Sequence, residues 1–318
     1  MTYEDRVGVR TEALAKRFGD VVALDGVDLD VPAGSVLGLL GHNGAGKTTM
    51  LRILTTLSAP TGGRAWVGGH DVVAEPAAVR ARIGLAGQAA TVDDLLTARK
   101  NLEMIGRLYH LPIADVRTRT RELLERVDLA AEADRLVKTF SGGMRRRLDL
   151  AAALFAKPAV LFMDEPTTGL DPHARNELWA LLREHVRGGA TLVLTTQYLD
   201  EADRLADNIV VLDHGRVVAR GTPSELKQRY GGERIVVTVA DVAALTIARG
   251  ALAVFAANGD IDVEGTQLAV AARAGTRLVE VVRALDAAGI DAVDVRRRDP
   301  TLDDVFLSLT SITKQAAA

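Results

Sequence analysis

The strongest constraint on this 318-residue chain is one octapeptide, Gly41-His42-Asn43-Gly44-Ala45-Gly46-Lys47-Thr48. It matches the pattern G-x-x-x-x-G-K-[ST] at every fixed position. The apolar run at 36–40 before it is typical of a strand, and the residues after it are typical of a helix. Backbone N–H groups in such a strand-to-helix loop bind phosphate, so the octapeptide, continued by Thr49, predicts a nucleotide-binding loop.

A second segment of this kind lies about a hundred residues further along the chain. Ser141-Gly142-Gly143 opens a helical stretch that reaches Ala156. Glycine lets an anion come close to the backbone N–H groups and to the positive end of a helix. One nucleotide does not need both segments, so the pair of segments itself requires an explanation.

Two adjacent carboxylates follow a buried strand. The apolar run at 159–163 is typical of a sheet covered on both faces, and Asp164 and Glu165 end it. Ligands of such sheets bind beyond the carboxyl ends of the strands, where the octapeptide also lies. We therefore expect Asp164 to hold Mg²⁺ together with the hydroxyl of Thr48, and Glu165 to orient and deprotonate a water molecule. A solvated acidic turn is the simpler alternative.

With these motifs in this order, the chain resembles the ATP-binding subunits of ABC transporters, from about residue 12 to about residue 230. Phe18 matches the aromatic residue that stacks on adenine, although it could also be a core residue. Gln88 matches the glutamine that reaches the metal and the attacking water, although it could be an ordinary surface residue. Ser141-Gly142-Gly143-Met144 resembles the signature motif, with Met144 where many members have Gln, and Asp171 matches the loop that crosses the dimer interface.

The resemblance explains the second anion-binding segment. In this family two subunits pack head to tail, and the signature helix of one covers the γ-phosphate bound by the other. It implies that ATP and Mg²⁺ bind at the interface between two copies of the chain, with Thr48, Gln88 and Asp164 at the metal. It also implies a separate transmembrane permease subunit as partner.

One position departs from the family pattern. Thr196-Gln197-Tyr198 aligns with the switch segment that usually carries His. A Gln amide can donate a hydrogen bond to a phosphate oxygen, but it cannot relay a proton as His can. Gln197 is therefore expected to position the phosphate, or else to be only a polar residue after a strand. Gln at this position is similar to antibiotic-resistance exporters of the daunorubicin type.

Composition limits the remaining possibilities. The net charge of −3 argues against a dominant nucleic-acid surface, and the chain has no Cys, which excludes disulfides and thiolate metal sites. Arg145-Arg146-Arg147 is typical of a solvated helix face with salt bridges. The sequence has no apolar run long enough to span a membrane and no signal peptide. We therefore expect a peripheral protein at the cytoplasmic face of the cell membrane, attached through a membrane subunit.

The pattern along the chain predicts an α/β fold in two parts. Residues 1–230 are expected to form the ATPase domain, with a helical subdomain at about 91–156. Residues 231–318 are expected to form an accessory α+β domain with the ferredoxin-like order β-α-β-β-α-β, including a helix from Asp241 to about Ala256. A terminal helix carries an apolar stripe, which is either core or a docking surface: Leu302, Val305, Phe306 and Leu309.

The sequence thus predicts an ATPase subunit that dimerises on ATP and drives a membrane subunit, in the export of an amphipathic drug or lipid. One rival is a soluble ATPase of the same superfamily that acts on DNA or ribosomes. It is disfavoured because the chain has neither an inserted coiled coil nor a second ATPase domain. A nucleotide-binding module without turnover is another rival, and the presence of Glu165 beside Asp164 argues against it.

Overall fold

The computed structural model of the chain describes residues 7–87, 92–231, 233–273 and 275–316. They divide into two compact units, Met1–Thr222 and Pro223–Ala318. This division precedes the predicted boundary at Tyr230, because the helix at Pro223–Tyr230 packs on the C-terminal helix. The functional division into an ATPase domain and an accessory domain remains a prediction.

The first unit contains two sheets and the helices between and around them. Its elements are β1 (Val7–Phe18), β2 (Val21–Pro32), β3 (Val36–Leu40), α1 (Lys47–Leu54), β4 (Gly62–Val67), β5 (His70–Asp71), α2 (Pro76–Arg80), β6 (Ile83–Ala86), α3 (Ala98–Leu108), α4 (Ile113–Arg126), a 3₁₀ turn (Val137–Thr139), α5 (Gly142–Ala153), β7 (Val160–Asp164), α6 (Pro172–Arg187), β8 (Thr191–Thr195), α7 (Leu199–Leu205), β9 (Asn208–Asp213) and β10 (Arg216–Gly221).

A six-stranded sheet carries the predicted motifs. Its strand order is β10-β9-β3-β8-β7-β6, and every neighbouring pair is parallel except the β9–β10 hairpin. All five residues of β3, of β7 and of β8 are buried, as expected for strands covered on both faces. The carboxyl ends of these three strands meet at one edge, which brings the loops after residues 40, 164 and 195 together.

The second sheet is antiparallel, with the order β2-β1-β4-β5. One hydrophobic core joins this sheet, α1 and the six-stranded sheet, and includes Leu14, Val27, Met50, Leu39 and Phe162. The predicted helical subdomain is present. The helices α3, α4 and α5 follow β6 and precede β7 along the chain, and they pack on one another. Within the described residues, no helix of either unit has the length and apolar content needed to cross a membrane.

The second unit confirms the predicted α+β plan. Its elements are α8 (Pro223–Tyr230), β11 (Arg234–Val239), a 3₁₀ turn (Val242–Ala244), α9 (Leu245–Leu252), β12 (Ala256–Glu264), β13 (Gln267–Ala272), α10 (Leu278–Ala287), β14 (Ala292–Arg298) and α11 (Leu302–Ala316). The antiparallel order β12-β13-β11-β14 is that of a ferredoxin-like sheet. The helix expected to reach Ala256 ends at Leu252, since β12 already begins at Ala256.

The terminal helix packs within its own unit. Three residues of its predicted stripe, Leu302, Val305 and Leu309, are buried, and α11 contacts α8. Its start is fixed by Asp304, whose carboxylate accepts hydrogen bonds from the N–H and the hydroxyl of Thr301 and lies 2.8 Å from Nε of the buried Arg234. Of the two roles considered for the stripe, the structure therefore supports core packing.

Candidate active site

The phosphate-binding loop lies between β3 and α1, and its shape depends on close approach of backbone to backbone. Gly46 precedes α1 with φ 108°, in the left-handed region, and a Cβ there would lie 2.6 Å from the carbonyl oxygen of Ala23. The Nζ of Lys47 donates to the carbonyl oxygens of Gly41 (2.7 Å) and His42 (3.1 Å). Lys47 is buried, and this burial lowers its pKa, an effect that Glu165 and Asp164 oppose.

Asp164 ends β7 directly opposite the first turn of α1. One of its carboxylate oxygens accepts a hydrogen bond from the hydroxyl of Thr48 (3.3 Å) and the other from the hydroxyl of Thr195 (2.5 Å). Asp164 is buried while Thr48 is exposed, so one side of this pair is open to a ligand. A carboxylate and a hydroxyl are hard oxygen donors of the kind that Mg²⁺ prefers, and the pair fits that ion.

Glu165 has an unusual backbone. Its φ is 49°, which few residues other than glycine adopt, and its N–H donates to both the carbonyl and the hydroxyl of Thr195, each at 3.1 Å. The hydroxyl of Thr168 approaches its carboxylate at 3.4 Å. Strain of this kind persists only where neighbouring contacts hold it, and here the contacts with Thr195 hold a half-buried carboxylate directly after Asp164.

The signature segment differs from the phosphate-binding loop in its exposure. Ser141 caps α5, its hydroxyl accepting from the N–H of Met144 (3.2 Å), and both Ser141 and Gly142 are exposed. Asp171 is also exposed and caps α6 through the N–H of Ala174 (2.8 Å). Neither residue is brought to the phosphate-binding loop of the same chain by any contact that the structure describes.

The other predicted site residues have different positions. Phe18 is 54% exposed at the end of β1, with Nζ of Lys16 4.9 Å from its ring centre, so it is not a core residue. Gln197 is exposed after β8, and Thr49 is half-buried in the first turn of α1. Gln88 lies outside the described residues, and its predicted role at the metal and the water stays a prediction.

The prediction that Arg145-Arg146-Arg147 is a solvated face is wrong for its central residue. Arg145 and Arg147 pair with Asp94 and Asp128 as expected. Arg146 instead donates to four carbonyl oxygens at the ends of β6 and β7, those of Gly87 (2.8 Å), Asp164 (3.0 Å), Glu165 (3.0 Å) and Pro166 (2.6 Å). The helical phase could have indicated this, because Leu150 and Ala153, four and seven residues later, are apolar and buried.

A buried carboxylic acid next to the site, Glu201, was also not identified from the sequence. Glu201 on α7 is fully buried and accepts a hydrogen bond from Nε1 of Trp179 (3.0 Å). Burial raises the pKa of the Glu201 carboxyl, while hydrogen bonds from Thr196, Trp179 and Thr167 act in the opposite direction. Thr167 lies two residues after Glu165 and Thr196 precedes Gln197, so Glu201 connects the loops after β7 and β8.

Comparisons with known proteins agree with this geometry. The family model for ABC transporters matches residues 24–168, and the model for the C-terminal domain of DrrA1-3-like ATP-binding proteins matches residues 221–310. A daunorubicin resistance ATP-binding protein, DrrA2 of Streptomyces coeruleorubidus, is 53% identical over 96% of both chains. The Nod factor export ATP-binding protein I of Ralstonia nicotianae is 40% identical over 94% of this chain and 92% of its own.

Solved structures give the same result for the first unit. An ATP-binding subunit of an ABC transporter superposes with a TM-score of 0.65 at 28% identity, covering 70% of this chain and 93% of that one. A dimeric ATP-binding cassette in a post-hydrolysis state with ADP and Pi superposes with a TM-score of 0.62 at 27% identity, covering 67% and 98%.

Proposed function

This chain belongs to the ATP-binding proteins of ABC transporters and is their ATPase subunit, and we propose that two copies hydrolyse ATP at shared sites to drive export by a separate permease. The observation that supports sharing is the exposure of Ser141 and Gly142 at the start of α5. A helix start built for an anion, but turned to solvent in its own chain, is suited to a phosphate held by another copy.

In the proposed site each residue of one chain has a separate task. Lys47 and the loop amides bind the β- and γ-phosphates, for which Lys47 exchanges the carbonyl oxygens of Gly41 and His42 for phosphate oxygens. Thr48 and Asp164 would hold Mg²⁺, which supplies charge neutralisation at the phosphates. Glu165 accepts the proton of the attacking water, and Gln197 donates a hydrogen bond to the γ-phosphate.

Complementation between two inactive variants tests the shared site. Ser141→Arg should bind ATP normally and hydrolyse none, because a bulky cation at the helix start prevents close approach of the facing phosphate. Lys47→Ala should lose ATP binding, while its Ser141 remains intact. Mixing the two restores one composite site per mixed dimer, so ATPase activity should reappear at up to about a quarter of the wild-type value for random mixing.

Ser141→Ala is the matched control for bulk, since it removes the hydroxyl and adds no side chain at the interface. It should keep most of the activity that Ser141→Arg loses. Normal ATP hydrolysis by Ser141→Arg alone would refute the shared site. A mixture of the two variants without activity would refute it as well.

The permease is proposed to dock in an apolar groove beside the catalytic loops. A cavity of about 740 Å³ lies between α1 and α3, and its lining includes Leu57, Ile105, Leu108 and Tyr109 together with Thr48 and Asp164. Leu57 and Leu108 are 60% and 71% exposed. We assign this groove to one helix of the membrane subunit, because a partner there would contact both exposed leucines and the end of β7 at Asp164.

Leu108→Glu tests this assignment by putting a charge on the groove wall. The variant should retain ATP affinity and lose most of its recovery with membranes that contain the permease. Leu95→Glu is the control, since Leu95 is 73% exposed and lies outside the groove. Equal membrane recovery of both variants and the wild type would contradict docking at this groove.

The substrate is proposed to be an amphipathic drug, on the strength of the DrrA-type relatives and the DrrA-like C-terminal domain. Cells that express the chain with its permease should accumulate less doxorubicin than cells that express the Glu165→Gln variant with the same permease. Glu165→Gln should still bind ATP but hydrolyse it roughly 10²- to 10⁴-fold more slowly, since the amide cannot take a proton. Equal drug accumulation would argue for another substrate class, such as a lipid.

A further inference from the structure

Three side chains of types that can bind a metal lie together at one end of the phosphate-binding loop, and none of these side chains has a role in the proposed hydrolysis. They are His42 in the loop, Asp213 at the end of β9, and His214 in the β9–β10 turn, and their ligand atoms all lie within 4.8 Å of one another. Nε2 of His42 is 2.8 Å from Oδ1 of Asp213, and Nε2 of His214 is 3.8 Å from the same oxygen. The two imidazole rings are 5.1 Å apart between centroids.

The hydrogen bond on the far side of His42 favours a role as ligand. Its Nδ1 lies 2.6 Å from the carbonyl oxygen of Asn43, and since a carbonyl only accepts, Nδ1–H is the donor. A carboxylate oxygen also only accepts, so the 2.8 Å contact holds a proton between Nε2 and Oδ1 of Asp213, and a metal ion bound here would take the place of that proton. Metal-binding histidines have this arrangement, with the other ring N–H donating to a backbone carbonyl.

The tight turn brings the third ligand to the same point. His214 has φ 46° and is followed by Gly215 with φ 77°, the two left-handed residues of a two-residue hairpin turn. The His214 side chain is 80% exposed, so its ring has room to move toward Asp213, whose side chain is only 12% exposed. Two imidazole nitrogens and one carboxylate oxygen thus approach a common centre.

We propose that His42, Asp213 and His214 form a binding site for a transition-metal ion of the Zn²⁺ class. Imidazole is a ligand for Zn²⁺, Ni²⁺ and Cu²⁺, whereas Mg²⁺ and Ca²⁺ require oxygen donors. Tetrahedral Zn²⁺ bonds of about 2.0–2.1 Å separate the ligand atoms by roughly 3.3 Å. The 2.8 Å and 3.8 Å separations reach that value through small movements, for which the exposed His214 ring has the most room, and a water would complete the tetrahedron.

Metal binding here opposes ATP binding, a consequence that rests on the proposed role of Lys47. The metal would fasten His42 to the β9–β10 turn, which already donates from the N–H of Gly215 to the carbonyl of Ala45 (3.0 Å). In this arrangement the carbonyl of His42 holds the Lys47 ammonium. A loop fixed in this state resists the release of Lys47 to the phosphates, and the antagonism must be reciprocal.

The test measures Zn²⁺ binding by the full chain, without nucleotide or Mg²⁺, in competition with a chromophoric chelator. His214→Asn is the informative variant, because Asn tolerates the left-handed backbone but lacks the imidazole. His110→Asn is its matched control: His110 is exposed and has φ 57° but lies far along the chain from the site. We expect His214→Asn to weaken Zn²⁺ binding at least tenfold, and His110→Asn to leave it unchanged.

A second readout separates this proposal from the proposed ATPase function. At buffered free Zn²⁺ and fixed Mg-ATP, the wild type should be inhibited, and the inhibition should need at least tenfold more Zn²⁺ in His214→Asn, whose basal activity is unchanged. Equal Zn²⁺ affinity in the wild type and His214→Asn would overturn the metal site. Equal inhibition of both proteins would overturn the antagonism, and absence of basal hydrolysis would instead count against the ATPase assignment.

Discussion

The phosphate-binding loop and the signature segment both place glycine at a helix start, but only the first needs its glycine for packing within its own chain. A Cβ on Gly46 would lie 2.6 Å from the carbonyl oxygen of Ala23. A Cβ on Gly142 would meet no atom of the described residues within 4 Å, and Gly142 has no positive φ. The glycine of the signature segment is therefore not required by this fold, which points to a requirement outside the single chain.

The same contrast extends to the polar side chains. Lys47 and Asp164 are buried, and their hydrogen-bond partners come from the loop after β3, from α1 and from β8. Ser141 and Asp171 are exposed and cap their own helices. An enclosed site can be assembled and tested within one chain. The open surface is proposed to function against the second copy of the chain.

Substitution of Gly46 and of Gly142 by alanine is the strongest test of the difference between the two segments. Gly46→Ala should destabilise the protein by at least about 2 kcal/mol and abolish ATP binding, because it combines a left-handed φ with a backbone clash. Gly142→Ala should change the free energy of unfolding by less than about 1 kcal/mol, since Ala is favoured over Gly in a helix. Its ATP affinity should be normal and its ATPase activity low.

Thermal unfolding, equilibrium ATP binding and steady-state hydrolysis, measured on both variants, check this prediction. If Gly142→Ala hydrolyses ATP like the wild type, the open glycine has no close partner, and the comparison loses its functional meaning.

Arg146 sharpens the comparison, because it links the open helix to the enclosed site. Arg146→Gln should lower kcat roughly ten- to a hundredfold, because the backbone at Asp164 and Glu165 would lose the hydrogen bonds from the guanidinium. A displacement of the proposed catalytic groups by about 1 Å can lower the rate about 10²-fold. Arg145→Gln is the matched control on the next residue, and it loses only a surface pair with Asp94. A kcat of Arg146→Gln no lower than that of Arg145→Gln would exclude this link from catalysis.

Gln197 is exposed like the signature segment, yet it is expected to act on the nucleotide of its own chain. Gln197→Ala should reduce kcat by roughly five- to 150-fold, as expected for the loss of one hydrogen bond to a charged group, about 1 to 3 kcal/mol. Gln197→His should retain activity, and the wild type should lack a titration near pH ~6.5 from this position. The measurement is kcat at saturating Mg-ATP across pH 6 to 9.

The decrease in kcat of Gln197→Ala decides whether Gln197 takes part in hydrolysis. If this variant matches the wild type at every pH, Gln197 is only a polar residue after β8. The open surface then contributes nothing to its own chain's site.

The parts of the site that depend on local sequence patterns can be predicted from the sequence, whereas the parts that depend on contacts between distant segments cannot. The octapeptide and the strand before Asp164 are local patterns, and the sequence predicts that both lie at the carboxyl edge of one sheet, but it does not predict the order of the strands. The four-carbonyl contact of Arg146 and the burial of Glu201 depend on residues from distant segments. The φ of Glu165 likewise reflects contacts with Thr195, thirty positions later, which no local pattern encodes.

The fold shows the same limit. The β-α-β-β-α-β order of the second unit could be predicted because alternation and helical periodicity are local. The end of α9 at Leu252 and the assignment of α8 to the second unit could not be predicted. Both depend on packing against strands and helices that lie far away in the chain.

The smallest expected effect concerns Glu201, a buried acid next to the enclosed site. Because burial raises its pKa in the folded state, the folded protein binds a proton more strongly than the unfolded chain does. The stability that Glu201 contributes is therefore fully present at pH values below 4.5, the ordinary pKa of Glu, and is lost as the pH rises through the raised pKa of the folded state. Each tenfold difference in proton affinity between the two states is worth about 1.4 kcal/mol.

Glu201→Gln should remove this dependence, because the amide keeps the shape and can still accept from Trp179 but does not titrate. The melting temperature of the variant should match the wild type near pH 4.5 and exceed it increasingly toward pH 8. Glu125→Gln, on the exposed face of α4, should show no such trend. A difference that is constant across pH would mean that the Glu201 carboxyl does not change its protonation on folding. The enclosed half of the site would then hold a buried charge at no cost in stability.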